Sequence, residues 1–76
     1  MLDLHRLRVL FELKRLGTVT AVAESMNYTH SAISQQLAQC EKDVGLPLYT
    51  KVGRRLQLTE QGEILADYAG LSLIHI

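Results

Sequence analysis

Ile33, Leu37, Cys40 and Val44 recur at spacings of four, three and four residues. That is the pattern of one buried face on an α-helix, and it excludes a strand over the same stretch. Thr29 stands where such a helix needs an N-cap, and Gly45 followed by Pro47 stops it. The opposite face carries Ser31, Ser34, Gln35, Gln39 and Lys42. A chain of 76 residues makes one small domain that buries only about 60% of its unfolded surface, so this helix has few neighbours and no second lobe to pack against.

Those neighbours are legible on either side. From Leu4 to Leu16, Leu7, Leu10, Phe11 and Leu16 form a helical stripe, with Arg6, Arg8, Glu12 and Lys14 mostly off it. Asp3 is the expected N-cap and Gly17 the stop. Thr18 or Thr20 caps a second, short helix that ends at Asn27-Tyr28, with Val22 and Met26 as its apolar pair. Between Leu48 and Thr59 the period changes to two, which predicts a hairpin whose tip, Lys51-Val52-Gly53-Arg54-Arg55, is basic. Thr59 then caps a fourth helix with Glu60 and Glu63 at its start, where acids suit the macrodipole, and Ile64, Leu65, Tyr68 and Ala69 on an apolar side. The expected fold is mainly α: a winged helix-turn-helix with a three-helix core, a two-stranded β wing and a C-terminal linker helix.

Hydrophobic residues make up 47% and charged residues 21% of the chain, a globular composition rather than a disordered one. The formal net charge is zero, poor support for nucleic-acid binding until its distribution is read. All eight basic residues lie within residues 1–58 beside five acids, an excess of three positive charges, while Glu60, Glu63 and Asp67 follow together. A basic body therefore precedes an acidic segment.

Catalysis finds no seat in these residues. Cys40 is the one cysteine, lies on the apolar stripe and reads as a core thiol. His5, His30 and His75 have no spacing for a metal or for acid–base work, and no cofactor motif is present. Ser34 with His30 lacks an acid and an oxyanion hole, and Gly53 is turn chemistry. The first residues do not resemble a signal peptide and no run is long enough to span a bilayer, so a cytoplasmic setting is expected.

Two helices joined by a short turn, the second opening on hydroxyls and amides, suit a DNA major groove, which admits a helix only if its leading face lacks bulky aliphatics. Taken alone, that face serves solvation as readily, and a basic hairpin tip is more readily a solvated turn than a binding loop. Their order is more telling: a cationic loop directly after the polar helix can hold phosphates or a narrow minor groove while the helix reads bases.

From Leu4 to about Ala69 the chain resembles the N-terminal DNA-binding domain of LysR-type bacterial transcriptional regulators. The resemblance rests on Thr20-Ala21-Val22-Ala23-Glu24, on Ser31-Ala32-Ile33-Ser34-Gln35-Gln36-Leu37 with Glu41, on Gly45-Leu46-Pro47-Leu48-Tyr49, on Lys51 and Arg54, and on Leu58-Thr59 with Gly62. It implies double-stranded DNA as partner, with Thr29, His30, Ser31, Ser34, Gln35 and Gln36 at the DNA and Lys51, Arg54 and Arg55 in the wing. It also implies a homodimer through the C-terminal helix, with Ile64, Leu65 and Tyr68 on the seam, and a small-molecule effector in a full-length protein only. Tyr49 and Lys51 stand where the family commonly has Phe and Arg, His30 where it has Gln or Pro, and Cys40 where it has Leu. A winged-helix protein-interaction module without DNA binding is the alternative, and the neutral total charge favours it.

The resulting division is residues 1–58 as the winged helix-turn-helix, 59–70 as the start of the linker and dimerisation helix, and 71–76 as a non-native tail. Leu71-Ser72-Leu73-Ile74-His75-Ile76 is apolar on nearly every side. It is what the codons CTG TCT CTT ATA CAC ATC encode, a sequence resembling the transposase-recognition end ligated in sequencing-library preparation. The expectation is that the natural frame ends near Gly70 and that the effector-binding domain is missing.

Overall fold

A computed structural model describes residues 4–74 of the chain. In order it contains α1 (Leu4–Leu16), α2 (Val19–Met26), α3 (His30–Val44), β1 (Tyr49–Val52), β2 (Arg55–Leu58) and α4 (Glu60–Ile74). This is the mainly α winged helix-turn-helix that the spacings predict. Asp3 and His75 lie outside the described residues.

Three threonines begin three helices by the same device. The Oγ1 atoms of Thr18, Thr29 and Thr59 accept hydrogen bonds from the amides of Ala21, Ala32 and Gly62, each at 3.1 Å. A cap of this kind contributes about 1 kcal/mol. Of the two candidates for α2, Thr18 is the cap. Asn27, in the left-handed region at φ 58°, and Gly45 at φ 79° end α2 and α3.

The core gathers Val9, Leu10 and Leu13 of α1, Val22 of α2, Ile33, Leu37 and Cys40 of α3, Leu48 and Ala66. Each fully buried aliphatic side chain contributes about 1.5–3 kcal/mol. The α3 stripe packs as its spacing requires, with Val44 half-buried at its end. α1 departs from expectation: Phe11 and Leu16 are only half-buried, and Glu12 is 8% exposed. α1 is flanked by α4 on one side and by α2 and α3 on the other, so it buries more than one stripe. Glu12 is tolerated there because Arg15 donates to its Oε2 at 2.6 and 3.2 Å and Ser25 at 3.5 Å, a link from α1 to α2.

The wing and α4 are fixed by Leu48. Its amide donates to Glu41 at 2.9 Å, and its carbonyl accepts from Thr59 N at 3.0 Å. Gly62 lies directly over that carbonyl: a Cβ on Gly62 would fall 2.0 Å from the Leu48 oxygen. Only glycine permits α4 to start this close to the entry of β1. β1 and β2 pair antiparallel, Tyr49 opposite Leu58 and Val52 opposite Arg55, around the Gly53-Arg54 turn. Leu56 N donates to Gly17 O at 3.2 Å, which ties the wing to the α1–α2 turn. α4 continues as a helix through Ile74, so the last six residues begin in helical backbone and end outside the described part.

Candidate nucleic-acid interface

The start of α3 is exposed because its buried stripe begins only at Ile33. Thr29, His30, Ser31 and Gln35 are exposed, and Ser34 is half-buried. At 3.6 residues per turn, Ser31, Gln35, Ala38 and Lys42 form an outward stripe, while His30 and Ser34 turn toward the wing. An open groove of about 470 Å³ lies there, and His30, Ser34, Lys51, Arg54 and Thr20 are among the residues lining it. Among the described residues no carboxylate lines this groove, and Lys51 and Arg54 give it positive charge.

Ion pairing sharpens the contrast among the cations. Arg6 pairs with Asp43 at 2.5 Å, Lys14 with Asp67, and Arg15 with Glu12 at 2.6 Å. Among the described residues, Arg8, Lys42, Lys51, Arg54 and Arg55 have no acidic partner. Three of these five belong to the wing. Two of the paired cations are raised: Asp67, chiefly through its hydrogen bond, raises the Lys14 pKa, and Glu12 raises that of Arg15 in the same way. The Asp43 carboxyl is lowered, first by the Gln39 amide donating at 2.9 Å and also by Arg6. Tyr49, at the root of the wing, is raised by burial and then by Glu41 beside it.

Not every expected residue joins the groove. Strand pairing puts Arg55 opposite Val52 and therefore on the other face of the hairpin from Lys51, which is opposite Leu56. Its guanidinium lies over Gly17, where a Cβ would meet it at 2.4 Å. Gln36 sits on the flank of α3 turned toward α1, and its Oε1 is buried with no hydrogen-bond partner among the described residues. Thr20 belongs to the helix-turn-helix motif but not to the residues expected at the DNA; its place two residues after the Thr18 cap puts it on the exposed edge of α2, where it lines the groove. Lys42 was legible as part of the polar face of α3 but not as an extension of the outward stripe. Tyr28, in the turn, is 42% exposed, and its hydroxyl meets His5 Nε2 at 3.1 Å.

A second surface has a different character. Ile64 and Tyr68 of α4 are 65% and 60% exposed, whereas Ala66 and Ala69 on the other side of the helix are buried. With the half-buried Leu65, they line an apolar groove of about 460 Å³ together with Val44, Leu46 and Leu48. No described helix is long and apolar enough to cross a membrane.

Comparison with known proteins identifies this arrangement. Residues 4–63 match the model of the bacterial regulatory helix-turn-helix proteins of the lysR family. The transcriptional activator CmpR of Synechocystis is 39% identical over 64 residues, which are 84% of this chain and 21% of that protein. MetR of Escherichia coli K12 is 33% identical over 76 residues, 100% of this chain and 24% of the relative. The chain thus spans about a quarter or less of the curated relatives it matches. Among solved structures, the LysR family transcriptional regulator VV2_1132 superposes with a TM-score of 0.86 at 29% identity, covering 99% of this chain and 28% of that one. The fold is also that of the BenM DNA-binding domain, solved with benA site 1 DNA, at a TM-score of 0.90 and 22% identity over 97% of this chain and 83% of that one. The chain belongs to the lysR family of bacterial regulatory helix-turn-helix proteins.

Proposed function

We propose that this chain binds duplex DNA as the recognition part of a transcriptional regulator, with α3 in the major groove and the wing on the adjacent backbone or minor groove. The observation that carries this reading is the shared groove: His30 and Ser34 of α3 open onto the same space as Lys51 and Arg54 of the wing. A duplex presents base edges and phosphates side by side, and this surface offers hydroxyl, imidazole and cationic groups in the same juxtaposition. Ser31 and Gln35 meet base edges from the outward stripe, and Thr29 lies at the phosphate beside the helix start. Gln36 and Arg55 contribute at the margins, since one turns toward α1 and the other toward Gly17.

Two copies pair through α4 in this reading, with Ile64, Leu65 and Tyr68 on the seam. Their exposure supports it, because a domain this small gains much from covering such a surface. Residues 1–58 form the DNA-binding unit and 59–70 the beginning of the pairing helix. Regulation by a small-molecule effector belongs to a full-length protein, and the cytoplasm is the setting.

A mobility-shift series across salt tests the DNA reading. Arg54→Ala is expected to weaken binding similarly on all sequences and flatten the salt slope, whereas Gln35→Ala is expected to alter base preference. A protein-interaction module would show no salt-sensitive duplex binding at all.

A further inference from the structure

We infer that Lys42 makes a second backbone-phosphate contact on the flank of α3 away from the wing; this rests on the DNA-binding reading above. Lys42 is exposed, has no acidic partner among the described residues and continues the outward stripe of Ser31, Gln35 and Ala38. Helix rise places it about 10 Å beyond Gln35 and about 16 Å beyond Ser31 along the axis. A recognition helix meets base edges with its N-terminal residues, so a side chain about two to three turns further along lies beyond them. With Ser31 and Gln35 in the groove, Lys42 reaches its rim, where the phosphates run.

Its surroundings suit an anion. Lys42 borders a shallow depression of about 440 Å³ lined also by Arg6, Gln35, Gln36 and Gln39, with no carboxylate among the described residues that line it. The two acids adjacent in sequence are engaged elsewhere: Glu41 accepts from Leu48 N at 2.9 Å, and Arg6 holds one carboxylate oxygen of Asp43 at 2.5 Å and Gln39 the other at 2.9 Å. Arg6 and Gln39 thereby keep the Asp43 charge from cancelling that of Lys42. The wing and this depression flank α3 on its two sides, so one recognition helix is held by cations from both rims of the groove.

Fluorescence anisotropy of the wild type, Lys42→Gln and Lys42→Arg against a mixed-sequence duplex across a salt series tests the contact. The phosphate contribution is independent of sequence, so no operator is needed. Wild type and Lys42→Arg are expected to share one slope of log K against log salt, with Lys42→Gln shallower by about 0.9 per bound protomer. Lys42→Ala, with the best helix former at that position, provides the same readout should the Gln variant melt lower. Equal slopes for the neutral variants and the wild type, with salt-sensitive binding by all, would overturn the second contact and leave the DNA-binding reading standing. Absence of salt-sensitive binding by the wild type would overturn both.

Discussion

The α3–wing face and the α4 face are built from the same small core yet have opposite surface chemistry. On the first, among the described residues, Lys51 and Arg54 stand without acidic partners around a groove that no carboxylate lines. On the second, Ile64 and Tyr68 expose apolar surface on the helix that also carries Glu60, Glu63 and Asp67. A net charge of zero is therefore the sum of two unlike surfaces, and the one that matters for phosphates is the one whose charges are unpaired. Lys14 shows the other case, its charge taken up by Asp67 of α4.

Gly62 joins the two faces, and changing it should have the largest effect. Gly62→Ala places a methyl group where the Leu48 carbonyl stands and is expected to destabilise the domain by about 3 kcal/mol, lowering the melting temperature by roughly 15 °C. In an unobstructed helix the same change would stabilise by about 0.5–1 kcal/mol; a melt that stays or rises would show that α4 does not depend on this close approach.

Ile64→Asp acts on the second face alone. It is expected to weaken self-association at least tenfold, about 1.4 kcal/mol, in sedimentation equilibrium, since a charge would replace an exposed apolar side chain at the proposed seam. Unchanged association would place the pairing surface elsewhere.

Thr29→Ala tests the first face through its scaffold. Loss of the bond from Ala32 N is expected to cost about 1 kcal/mol in chemical denaturation. The smallest effect concerns Tyr49. Its pKa is raised in the folded chain, so its contribution is fully present below the unfolded value of about 10 and is lost as pH rises through the folded value. Tyr49→Phe should remove that alkaline loss from a stability–pH profile and leave neutral pH little changed.

What could be read from sequence follows from the range of the interactions involved. The α3 stripe, the threonine caps and the hairpin depend on residues within a few positions of each other, and the structure places them as the spacing requires. The burial of Glu12 depends on Ser25 of α2, thirteen residues away, and on α1 having neighbours on more than one side. Arg55 clusters with Lys51 and Arg54 in sequence, but register puts it on the other face of the hairpin from Lys51. Alternation along a strand gives two faces without saying which one meets the core. Gln36 stands beside Gln35 in the motif, yet the 100° step between adjacent helical residues turns it toward α1.

An amide NMR titration with a duplex tests most directly whether α3 and the wing act as one surface. His30, Ser34, Lys51 and Arg54 are expected to shift together along a single binding curve, while Ile64 and Tyr68 stay near their free positions. Shifts on α3 without the wing, or shifts confined to α4, would contradict a single DNA-binding face.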